Sequence, residues 1–114
     1  MGDLLGLIRR AEALKGKDRS FDLQVAHYFK RPWYCFTHNI TRVVEITERE
    51  LPGWRWIIDS DFDRGPPYAA QVKKRGDTWA EAPRVFAPTP AIALMLATLR
   101  ALAASRSAQE QSGD

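Results

Sequence analysis

The chain opens on apolar residues at helical spacing: Leu4, Leu7, Ile8, Ala11 and Leu14 recur every three or four positions, with Arg9, Arg10 and Glu12 set between them. This pattern predicts a first helix that starts at an Asp3 cap and stops at Gly16, because glycine accepts the left-handed conformation that closes a helix. Phe21, Val25, Ala26 and Phe29 form the stripe of a second helix, with Asp18 or Ser20 as its cap and Lys30-Arg31-Pro32 as its end. A third stripe, Ile40, Val43, Val44 and Thr47, follows a cap at Thr37 or Asn39, and Pro52-Gly53 breaks it.

The period then changes. Trp54, Trp56 and Ile58 alternate with Arg55, Ile57 and Asp59, which predicts a strand within residues 51–59 whose tryptophan face is deeply buried. A loop rich in Asp, Gly and Pro leads to a second strand from Tyr68. Gly76-Asp77 has the glycine-first form of a two-residue hairpin turn, so Arg75 should face Thr78 and Lys74 should face Trp79. A short third strand would then end near Ala82-Pro83.

Pro88-Thr89-Pro90 marks the start of a last helix, with Thr89 as cap and Pro90 where its missing N–H costs nothing. Its core stripe is Ile92, Met95, Leu96, Leu99 and Leu102, and a second, flatter stripe is Ala91, Leu94, Ala97 and Ala101. A helix apolar around most of its circumference is either sandwiched between other elements or lends one side to a subunit contact. From Ser105 to Asp114 the composition turns to Ser, Gln, Gly and charge, which reads as a disordered tail. The expectation is therefore one α+β domain over residues 1–104 in the order αααβββα. A small, mostly antiparallel three-stranded sheet packs with the N-terminal helices and the long C-terminal helix, as an alpha-beta-alpha sandwich.

Composition adds bounds rather than chemistry. A chain of 114 residues with 45% hydrophobic content can bury a core without staples, and Cys35 alone makes no internal disulfide. Met1 to Leu4 shows neither the basic nor the apolar region of a signal peptide. The apolar stretch 91–104 is interrupted by Thr98 and Arg100 and is shorter than the roughly 20 residues of a membrane span. These features give the expectation of a cytoplasmic protein without a membrane segment. A net charge of +3 is a modest excess, compatible with nucleic acid as a partner without requiring it.

Three blocks carry a resemblance: Ala13-Leu14-Lys15-Gly16-Lys17-Asp18-Arg19-Ser20-Phe21-Asp22, Leu51-Pro52-Gly53-Trp54-Arg55-Trp56 and Ala87-Pro88-Thr89-Pro90-Ala91-Ile92-Ala93-Leu94. In order and spacing they resemble the phage alpha-beta-alpha sandwich domain family, small phage and prophage proteins of unknown function. The middle departs from that pattern, since Arg42-Val43-Val44-Glu45-Ile46-Thr47-Glu48 is more polar than the Ala and Leu with which family members tend to continue the third helix. The resemblance implies an alpha-beta sandwich of phage origin, and it supplies no catalytic residue.

Chemistry-bearing patterns are sparse. Asp59-Ser60-Asp61-Phe62-Asp63 has the alternating carboxylates of a calcium loop, but Arg64 stands where glycine is needed and Ala70 where glutamate is needed. His27, Cys35 and His38 lack a fourth partner for a structural zinc site, so they read as packing residues and no metal or cofactor is expected. No nucleophile elbow, phosphate loop or dinucleotide fingerprint is present, which argues against an enzyme. The expected function is a non-catalytic, phage- or prophage-derived accessory domain acting through protein binding, or through self-association by the second stripe of the last helix. The alternative is nucleic-acid binding by Lys73, Lys74 and Arg75, with Lys30 and Arg31 beside Trp33 and Tyr34.

Overall fold

The computed structural model describes residues 4–60, 63 and 66–112, with side chains through Arg106. Three helices come first, α1 (Leu4–Ala13), α2 (Arg19–Phe29) and α3 (Ile40–Glu50), with a 3-10 turn at Phe36–His38. Strands β1 (Arg55–Ser60), β2 (Tyr68–Lys73) and β3 (Val85–Ala87) follow, and α4 (Pro90–Ser112) closes the chain. The fold is α+β in the expected order.

Capping explains where three of the helices begin. The Asp18 carboxylate accepts the Phe21 N–H at 2.8 Å, Asn39 accepts that of Arg42 at 3.3 Å, and the Thr89 hydroxyl accepts that of Ile92 at 3.1 Å. The Asp3 cap lies outside the described residues. Thr37 does not cap α3. Its N–H donates to Asp22 at 2.8 Å and its hydroxyl donates to the other Asp22 oxygen at 3.2 Å while accepting the Asp18 N–H at 3.0 Å. The Thr37 carbonyl accepts the Thr89 hydroxyl at 3.0 Å, so one residue ties α2 to the start of α4.

The sheet has the order β1-β2-β3 and is antiparallel throughout. Trp56 opposes Val72 and Ile58 opposes Ala70, which puts the aromatic face of β1 on the core side, as the alternation predicts. Burial there is shallower than expected: Trp54 and Trp56 are half-buried, because β1 is an edge strand and α4 lies mainly over β2 and β3.

The predicted hairpin at Gly76-Asp77 does not form. The turn is Lys74–Asp77, closed by the Asp77 N–H on the Lys74 carbonyl at 3.2 Å. Gly76 is its third residue, with φ of 99°, the position at which a type II turn favours glycine. Leu51–Trp54 repeats this geometry, with Pro52 second and Gly53 third at φ of 84°. After Asp77 the chain turns again over Thr78–Ala82 instead of returning as a strand, and β3 begins only at Val85. Consequently Lys74 does not pair with Trp79.

α4 is the middle layer. Every residue from Ala91 to Leu99 is buried, with the sheet on one side and α1, α3 and the 3-10 turn on others. The second stripe is buried within the chain at Ala91, Leu94 and Ala97, with Leu94 at 0% exposure and Ala97 at 5%, and its last member, Ala101, is half-buried. Thr98, read as an interruption, is buried with its hydroxyl 2.7 Å from that of Thr47 on α3. The helical backbone of α4 runs to Ser112.

Candidate functional site

β3 pairs with residues 68–70, and among the described residues the rest of β2 has no strand on that side; the connection 74–84 lies in its place. Gln71, which the sequence reading passed over, fixes this connection. It is buried, and its carboxamide N–H groups donate to the carbonyls of Trp79 and Ala82, each at 2.8 Å. Both amide protons are satisfied, so the connection is held against the sheet without a ladder.

Between that connection and α4 lies a cleft of about 220 Å³. Val72, Val85, Ala97 and Ala101 line its apolar interior, Trp54 and Ala82-Pro83 bound it, and Lys73, Lys74, Asp77, Glu81 and Arg100 line its polar part. The cleft exists because α4 carries alanine along this face, where Leu94, Leu99 and Leu102 fill the core elsewhere. Trp54, Ala97, Ala101 and Arg100 are site residues that periodicity alone assigns to core or surface.

The charged side chains of the cleft are largely engaged. Lys73 Nζ donates to the Asp77 carbonyl at 2.9 Å and lies 5.2 Å from the Trp79 ring centroid. Lys74 Nζ lies 5.9 Å from the Trp54 centroid. Glu81 accepts the Thr78 hydroxyl at 2.8 Å and the Thr78 N–H at 3.1 Å, and these bonds hold its carboxyl below the usual carboxylate range. Arg100 pairs with Glu12 of α1.

The other basic residues singled out in the sequence sit on different elements. Arg75 is exposed in the 74–77 turn. Lys30 ends α2 with φ of 55° and is exposed, while Arg31 donates to Glu45 of α3 at 3.5 Å and keeps a buried Nε without a hydrogen-bond partner. Lys73, Lys74 and Arg75 therefore belong to the end of β2, and Lys30 and Arg31 to the junction of α2 with α3.

Among the described residues, no group of three or more His, Cys, Asp and Glu is placed to hold a metal ion. His27 and His38 are exposed and Cys35 is half-buried. Asp59 pairs with Arg84 at 3.2 Å, and Asp61 of the calcium-like stretch lies outside the described residues. Asp22 is the buried carboxyl of the fold, pushed up by burial and pulled back by the Thr37 N–H and hydroxyl, but its partners are structural and it does not line the cleft. Among the described residues no helix is long and apolar enough to cross a membrane. No protein-family model, curated protein or solved structure matches the chain.

Proposed function

We propose that the protein is a non-catalytic accessory domain of phage or prophage origin that binds a protein partner through the cleft between residues 74–84 and α4. The observation that carries this reading is the cleft itself, an apolar interior with one indole wall and a rim of mixed charge. Its volume of about 220 Å³ falls below the roughly 300 to 1,000 Å³ of small-molecule sites. It suits one large apolar side chain, the kind of anchor that dominates protein interfaces when seated in a desolvated pocket. The three blocks at residues 13–22, 51–56 and 87–94 support the phage origin by resemblance. On this reading Lys73 and Lys74 serve as part of a mixed rim rather than as a nucleic-acid footprint, since Asp77 and Glu81 stand among them.

The test is a plug. Ala101→Leu places a larger side chain in the cleft without altering its charges. Wild type and variant are used in parallel as bait against extracts of host cells with and without phage. A partner retained by the wild type and lost by Ala101→Leu supports the reading, and identical captured sets overturn it.

A further inference from the structure

A second surface lies on the segment joining α2 to α3, and it shares no residue with the cleft. After Lys30 the chain runs through residues 31–35 to the 3-10 turn, and two consecutive rings on this run are each covered by an arginine from a different helix. The Arg19 guanidinium carbon of α2 lies 5.7 Å from the Trp33 centroid, and that of Arg42 of α3 lies 3.9 Å from the Tyr34 centroid. Packing over a ring fixes a guanidinium in place while the N–H groups at its perimeter stay available to oxygen acceptors. Trp33 keeps 43% exposure, one of the few large apolar side chains to do so.

Positive charge accumulates on this segment and on the helices that cover its rings. Arg19, Lys30, Arg31 and Arg42 stand against Glu45, which accepts from Arg31 at 3.5 Å and from Arg42 at 3.1 Å. Four cations with one carboxylate leave three positive charges in excess. Asp18, next to Arg19, is already committed as the α2 cap and to Arg10 at 3.7 Å. Lys30 occupies a left-handed position that glycine would take without strain, so the fold tolerates a strained backbone there and gains an exposed ammonium.

We propose that this surface binds single-stranded nucleic acid, with an unpaired base stacked on Trp33 and adjacent phosphates held by Arg19 and Lys30, while Arg31 and Arg42 together exceed the charge of Glu45 and add to the attraction. An exposed indole flanked by cations matches a strand that offers both a free base face and a phosphate chain; in a duplex the base faces are already covered by their neighbours. The excess positive charge complements the backbone.

The experiment is fluorescence anisotropy of a labelled twelve-residue oligothymidylate with the full chain. If the three surplus cations neutralise phosphates, log affinity should fall against log salt with a slope of about −2. Trp33→Ala should weaken binding by about fivefold or more, the lower end of a base-stacking contribution. Lys30→Gly removes the ammonium and relieves the left-handed backbone, so it should weaken binding while raising the thermal midpoint; a residue with a merely structural role would raise the midpoint alone. Absence of saturable binding at 50 mM salt overturns the proposal. So does unchanged binding by Trp33→Ala, or binding that persists in both variants and disappears when Lys73, Lys74 and Arg75 are changed to glutamine. Retention of affinity by Ala101→Leu is expected, which keeps this result separate from the fate of the cleft.

Discussion

Asp22 and the threonine pair show how single polar residues hold this fold. Burial raises the Asp22 carboxyl above its ordinary value of 3.8, and the Thr37 bonds only partly oppose it. The folded state therefore keeps a proton on Asp22 over a pH range in which the unfolded chain has released it. The resulting stability is fully present below the ordinary value, is lost as pH rises through the raised folded value, and is constant above it. Asp22→Asn has no such titration, so the difference in urea-unfolding free energy between wild type and variant should shift against the wild type across that window. Elsewhere, Thr47 donates its hydroxyl proton to the Val43 carbonyl at 3.0 Å, so Thr98 must be the donor in the 2.7 Å contact between the two threonines. Thr98→Val should cost about 1 to 3 kcal/mol by stranding the Thr47 oxygen, whereas the double change to valine should cost less than the sum of the singles, since no buried group is left unpaired by its neighbour. Chemical denaturation of the four proteins in the cycle checks this. The sequence showed Thr47 within an apolar stripe and Thr98 as a break in another; their partnership across 51 positions was invisible because nothing local encodes it.

At the scale of elements, start signals were readable and turn registers were not. Thr89 caps α4 as its position before Pro90 predicts, and its hydroxyl also donates to the Thr37 carbonyl. Thr89→Ala should therefore destabilise by roughly 1 to 2 kcal/mol, at the upper end for a lost cap, and the thermal midpoint measures it. The Gly76 turn illustrates the opposite case. A glycine-first and a glycine-third turn draw on the same residues, and the choice fell to the latter because Gln71 offers two donors that hold Trp79 and Ala82 in a second turn, where a hairpin would require a continuing strand. Cap chemistry acts within three or four residues and so appears in the sequence. Register here depended on a side chain reaching 8 and 11 positions along the chain.

For the molecule as a whole, the arrangement of layers decides what surface is left for function. With the sheet on one side and α1 and α3 on others, α4 is buried from Ala91 through Leu99, and its exposure resumes at Arg100. The cleft opens at this boundary, where Ala97 and Ala101 fall short of filling the space beside the 74–84 connection. Ala101→Leu should be tolerated, with a thermal midpoint equal to or above that of the wild type, because the added atoms enter existing space; a large loss would mean that the cleft is too tightly shaped to be plugged. The basic residues divide in the same way. Lys73 and Lys74 became part of the cleft, while Arg31 shares Glu45 with Arg42, whose guanidinium lies over Tyr34, and Arg19 lies over Trp33.

Periodicity, caps and breakers by themselves determined the order of elements, the buried face of β1 and the start of α4, since each of these is set by residues within a turn or two of one another. Only the tertiary structure decided that α4 would be buried from Ala91 to Leu99 within one chain, for an apolar helix has no local feature that distinguishes an internal neighbour from a second subunit. It likewise decided where the alanines of α4 would face a neighbour that does not fill them. It brought Arg19 over Trp33 and Arg42 over Tyr34, pairings that depend on how α2 and α3 lie against the segment between them. Binding surfaces of this kind are made from side chains on several elements, and their geometry arises when those elements pack.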